Sequence, residues 1–165
     1  MRRPIVRAAL LIGVVAALAA CSQPSSAPQN APAPAVTSAP VTAGQLTVEN
    51  AVARPPLGGQ TTGVGYLVIR NTGDTADRLV GVASGATSSI ELHTHAMTDG
   101  VMRMERVDGV DIPAHGEAVF KPRGLHLMLF NFAPPGAVAP VTLTFEMAGE
   151  VTVDFVVAAP GPGAR

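Results

Sequence analysis

The chain has 165 residues, 47% of them hydrophobic and 14% charged, with a formal net charge of −1. Taking Arg2, Arg3 and Arg7 from the 11 basic residues leaves 8 against 12 acidic ones beyond residue 20, a balance of −4 that excludes the basic footprint of a nucleic-acid binder. The single cysteine, Cys21, excludes an internal disulfide framework and any Cys-based zinc or iron–sulfur site, and one tyrosine without tryptophan offers little for base stacking.

Arg2, Arg3 and Arg7 form a basic start, followed by thirteen apolar or small residues from Ala8 to Ala20. That run is too short to cross a hydrocarbon layer of roughly 30 Å as a helix, but it suits the core of a signal peptide over residues 1–20. It ends in Leu18-Ala19-Ala20-Cys21, which resembles a bacterial lipoprotein lipobox. The resemblance implies cleavage before Cys21 and lipidation of its sulfur, hence an extracytoplasmic protein anchored to a bacterial membrane by its acyl chains. Residues 21–44 hold the lipidated Cys and an uncharged stretch with five prolines among alanines and serines. Alternating Ala and Pro favours extended conformations and cannot bury a core, so this segment reads as a semi-rigid linker. Residues 159–165, rich in Gly and Pro, read as a flexible tail.

Residues 45–158 have the size of one sandwich domain. Apolar residues recur there with period two, in short runs bounded by Gly, Pro and Asn. Expected strands are Leu46–Ala53, Val64–Asn71, Asp77–Ser84, Ser89–His95, Val101–Arg106, Glu117–Lys121, Leu125–Asn131, Val141–Met147 and Val151–Val157. No stretch of ten residues after Gly44 carries a helical stripe. The reading is an all-β, antiparallel β-sandwich or Greek-key barrel.

All four histidines and four of the six methionines lie between His93 and Met128. In a strand over Ile90–His95, alternation puts Glu91, His93 and His95 opposite Ile90 and Leu92. In Leu125–Leu129 the leucines share one face, and His126 and Met128 share the other. Met102 and Met104 also share a face. A methionine in a β domain is ordinarily core filler, and a lone strand histidine is ordinarily a surface group. Here His126 and Met128 face away from the leucines, with another His and another Met upstream and no competing thiol. Should one such set converge, neutral thioethers and imidazoles suit soft, monovalent Cu(I) better than Zn²⁺ or Cu(II). Histidine protonation then releases the metal below about pH 6. His115, between Pro113-Ala114 and Gly116, reads as a turn residue outside the site.

His93, ten intervening residues, Met104, twenty-one more, His126, one more and Met128 make a pattern similar to the H-x10-M-x21-H-x-M signature of the periplasmic copper chaperones, the PCu(A)C family. Gly65–Asn71, Asp77–Val82, Glu91–His93, Gly100–Met104, Ile112–Ala114, Gly124–Leu129 and Thr142–Glu146 resemble further blocks of that family, so the likeness covers nearly the whole domain. It implies a cupredoxin-like β-sandwich and one Cu(I) held by His93, Met104, His126 and Met128. It also implies delivery to a copper-accepting protein, such as the CuA centre of cytochrome c oxidase subunit II or another copper chaperone. Where the family commonly has Met two residues after the first His, this chain has His95, with Met97 beyond. Both are candidate auxiliary ligands; for His95 the readings are a spare nitrogen ligand, a foothold for Cu(II) or a solvated side chain, and the solvated side chain is expected. The chain ends in Gly-Pro-Gly-Ala-Arg, so a tail-borne second site is not expected.

Two alternatives stand beside this reading. One is general periplasmic copper buffering. The other is a cupin-like metal-dependent enzyme using His93, His95 and His126 with Asp99, which would need His95 and ignore the methionines. No carboxylate at a spacing suited to acid–base chemistry favours an enzyme.

Overall fold

The computed structural model describes residues 38–158. The signal peptide, Cys21 with most of the linker, and the tail at 159–165 lie outside the described residues. Eleven strands follow one another: β1 Val41–Ala43, β2 Leu46–Arg54, β3 Gly63–Asn71, β4 Asp77–Ala83, β5 Ser89–Thr98, β6 Val101–Val107, β7 Val110–Ile112, β8 Glu117–Val119, β9 His126–Phe130, β10 Val138–Phe145 and β11 Gly149–Val157. Among the described residues there is no helix. The strands hydrogen-bond in the order β6-β5-β9-β3-β2-β11-β10-β4-β7, with β1 added to β2 and β8 to β3.

Alternation drives the packing. In β3, residues 63, 65, 67, 69 and 71 are buried and the intervening ones are not, and in β10 residues 139, 141, 143 and 145 are buried. The apolar ones, Leu67, Ile69, Ala139, Val141, Leu143 and Phe145, join Leu46, Val48, Leu79, Leu127, Leu129, Val153 and Phe155 in one continuous core. Burial of side chains of that size contributes about 1.5–3 kcal/mol each, the main term opposing chain entropy. Gly65 pairs with Leu127 where β3 meets β9, and a Cβ there would stand 3.1 Å from the Leu127 Cβ. Glycine therefore lets β9 lie close against β3.

Three features differ from the sequence reading. The pairing is not wholly antiparallel, because β11 runs parallel to β2 through Val156↔Val52 and Val157↔Ala53. Short β7 was missed, being three residues beside a glycine, and it pairs with β4. The linker expected to run to residue 44 gives way earlier, since β1 pairs with β2 and Ser38 is buried at 6% exposure. A bulge explains this docking. The β2–β3 register shifts between Glu49 and Val52, with Asn50 at φ 55°, which takes the Ala51 N–H out of the ladder. Ala51 donates instead to the Ser38 Oγ at 2.8 Å, which satisfies a buried donor. The result is the cupredoxin-like β-sandwich expected from the sequence, with one parallel pair.

Candidate metal centre

The site begins with a hairpin that outruns its sheet. Asp99 and Gly100 both have positive φ, 53° and 77°, as a two-residue type I′ turn requires. They join β5 to β6 in the register His93↔Arg106, His95↔Met104 and Met97↔Met102. On its other side β5 pairs with β9 only from Ser89↔Phe130 to His93↔His126. Beyond His93, then, the hairpin projects past the first residue of β9, with β6 as the sheet edge. His93, His95 and Met97 lie on one face of β5, with their β6 partners on the same face.

His126 is 4% exposed although it points away from the core leucines. Its ring lies 5.1 Å from that of His95 and 6.0 Å from that of His93, tilted to both. Its two nitrogens have separate partners. Nδ1 lies 2.9 Å from the Gly124 carbonyl oxygen, which only accepts, so Nδ1 carries the proton. In the neutral ring, Nε2 then presents a lone pair to the Met104 sulfur at 3.3 Å. Burial lowers the His126 pKa, against the raising effect of the Gly124 bond, and the neighbouring His95 and His93 charges lower it further. The imidazole is thereby held neutral, the form a metal needs.

His93 shows the same division. Its Nε2 donates to the Glu91 carboxylate at 2.9 Å, and the other Glu91 oxygen lies 3.3 Å from the Arg106 guanidinium. A metal-binding histidine commonly gives its far N–H to a carboxylate or carbonyl, which fixes the tautomer and raises ligand basicity. That leaves Nδ1 of His93 as the free donor, and it is buried with no hydrogen-bond partner. Nδ1 of His95 is the other such atom among the described residues.

Bonds of about 2.0 Å to nitrogen and 2.3 Å to sulfur let the facing His126 Nε2 and Met104 Sδ reach one ion. Met104 is 48% exposed on the edge strand, so the centre is closed by histidines on one side and open through a thioether on the other. Met128 shares the outward face of β9 with His126, but its β5 partner is Glu91, two residues along the strand from the His93–His126 pair. Met97 stands outside the cluster, 64% exposed near the hairpin tip and opposite Met102.

His95 departs from its expected role as a solvated side chain. Its ring packs over His126, 5.1 Å between centroids. Asp99, required by the cupin-like alternative, sits in the exposed hairpin turn, four residues past His95 along an extended strand. Among the described residues, no three His, Cys, Asp or Glu side chains are gathered tightly enough to hold a metal unaided. The cupin set is not assembled. His115 is a turn residue at φ 53°, bonded to Asp74 at 2.8 Å and away from the cluster. Sequence reasoning assigned no role to Glu91 or to the Gly124 carbonyl. Their signal was Glu91 two residues before His93 on one strand face.

A family model described as "Putative lipoprotein LpqE-like" matches residues 46–157. The "Putative lipoprotein Lxx21020" of Leifsonia xyli subsp. xyli (strain CTCB07) is 34% identical over 82 residues, which is 47% of this chain and 49% of that protein. The chain thus matches about half the length of that curated relative. Among solved structures, the copper-bound PCuAC domain from PmoF2 is 33% identical with a TM-score of 0.63, over 74% of this chain and 99% of that one. The CuI-DR1885 structure from Deinococcus radiodurans is 25% identical with a TM-score of 0.54, over 65% of this chain and 74% of that one.

Proposed function

The chain belongs to the LpqE-like family and its domain to the PCuAC kind, and from that premise we propose that it is an extracytoplasmic copper carrier. It binds one Cu(I) through His93, Met104, His126 and Met128 and passes it to a copper-accepting protein. The recipient is the CuA centre of cytochrome c oxidase subunit II or another copper chaperone. A lipid on Cys21 holds the domain at a bacterial membrane. The relatives support the cargo, since one structural neighbour is a copper-bound PCuAC domain and another is CuI-DR1885.

The observation that carries the reading is the His126 Nε2 lone pair facing the Met104 sulfur at 3.3 Å, with a buried, unpartnered Nδ1 of His93 beside them. Unpaired buried donors and acceptors are uncommon, and a soft cation satisfies this group together. Two imidazoles and two thioethers carry no charge, so Cu(I) keeps its single positive charge and stays exchangeable. Transfer starts at the exposed side. Met104 lies on an edge strand, so an incoming ligand reaches the ion there first, while buried His126 lets go last.

A chelator competition with Cu(I) tests the site. Met104→Leu and Met128→Leu each keep the side-chain volume and remove the sulfur, and each should weaken Cu(I) binding about tenfold or more. Unchanged affinity in both variants would remove the assignment. For the recipient, CuA content in a deletion strain under copper limitation should fall. An unchanged content would leave copper buffering as the role.

A further inference from the structure

Resting on that copper site, we propose that His95 is a further ligand, and that its imidazole lets the centre hold Cu(II) as well as Cu(I). His95 projects from the same face of β5 as His93, directly opposite Met104 in the β5–β6 register. Its ring is nearer to His126, at 5.1 Å, than the ring of His93, at 6.0 Å. Beyond His93, β5 pairs with β6 but no longer with β9, and the His95 ring there lies against His126 with its Nδ1 buried and unpartnered. Leaving a buried nitrogen unsatisfied is unfavourable, so the position calls for a partner, and in the tautomer that leaves Nδ1 unprotonated a metal ion supplies it. Among the described residues the two such atoms are Nδ1 of His95 and Nδ1 of His93, and both adjoin the His126–Met104 contact.

The donor set decides the oxidation states. A pair of imidazoles with thioethers suits Cu(I), whereas Cu(II) favours nitrogen and oxygen donors in a flatter arrangement. Three imidazoles, one of them backed by the Glu91 carboxylate, supply what Cu(II) lacks in a two-histidine centre. The rings stand wider than a closed three-nitrogen centre. Closing it takes movement of the His93 and His95 rings; neither Nδ1 has a hydrogen bond to give up, but His93 must keep its Nε2 bond to Glu91 as its ring moves.

The experiment adds Cu(II) alone to the full chain and follows it by electron paramagnetic resonance with a chelator competition. Wild type should bind one Cu(II) with nitrogen hyperfine splitting. His95→Met and His95→Gln should each weaken Cu(II) by at least about tenfold. Circular dichroism on both variants checks that the sheet is intact. Unchanged Cu(II) binding in both, or no tight Cu(II) site in wild type, overturns the proposal and leaves the Cu(I) carrier untouched. The carrier reading fails on a different result, the indifference of Cu(I) to Met104→Leu and Met128→Leu.

Discussion

His126 gives its two ring nitrogens different partners. The Gly124 carbonyl accepts from Nδ1, so the ring is fixed in one tautomer and Nε2 is left facing the Met104 sulfur. That arrangement has a consequence for the apoprotein. The His126 pKa is lowered from 6.5, first by burial. The unfolded chain therefore binds more protons than the native one in the interval just below 6.5, and stability rises with pH there. On acidification the His126 contribution is intact above 6.5 and is lost as pH falls toward the depressed native value. Urea unfolding at a series of pH values, comparing wild type with His126→Asn, should show a steeper loss in wild type over that interval. An equal slope in both proteins contradicts it. Glu91 illustrates how a residue can be placed correctly and its role still go unread. Alternation puts it on the His93 face, but only the folded rotamers show its carboxylate bridging His93 and Arg106.

Elements contribute by where they stop. The β5–β6 hairpin supports the site because it continues past the end of β9, and an exposed thioether on an edge strand follows from that overhang. Ser38 and the β2 bulge are linked in a similar way across the expected domain boundary. Ser38→Ala leaves the Ala51 N–H buried without an acceptor and should cost about 1–3 kcal/mol in denaturant unfolding. Exposed Thr42 in β1 serves as the control, with Thr42→Ala expected within about 0.5 kcal/mol of wild type. Equal effects would detach the Ser38 bond from fold stability. At the β10–β11 turn, the two Asp77 oxygens accept from Met147 N at 3.0 Å and Ala148 N at 2.9 Å. Asp77→Ala should lower unfolding free energy by about 1–3 kcal/mol, and an unaltered denaturation midpoint would contradict this. Neither Ser38 nor Asp77 was legible as a support, because both reach backbone groups far along the chain.

At the scale of the molecule, the proposed lipid anchor on Cys21 and the proposed copper site together define a carrier confined to one surface. Mass spectrometry of membrane-extracted protein should give an acylated Cys21 at the mature N-terminus, and any other N-terminus contradicts the anchor. The nine expected strands are all present, with ends moved by three residues or fewer, because a half-buried strand must alternate and alternation is a local property of the chain. For the same reason the outward faces of His93, His95, His126 and Met128 were readable from their leucine neighbours. Strand order, the parallel β2–β11 pair and the docking of residues 38–43 were not, since each joins segments whose local pattern is silent about the partner. His95 marks the boundary between the two kinds of knowledge. Its face came from period-two alternation, whereas the packing of its ring over His126 joins β5 to β9, strands far apart in the chain, and no local spacing encodes that contact.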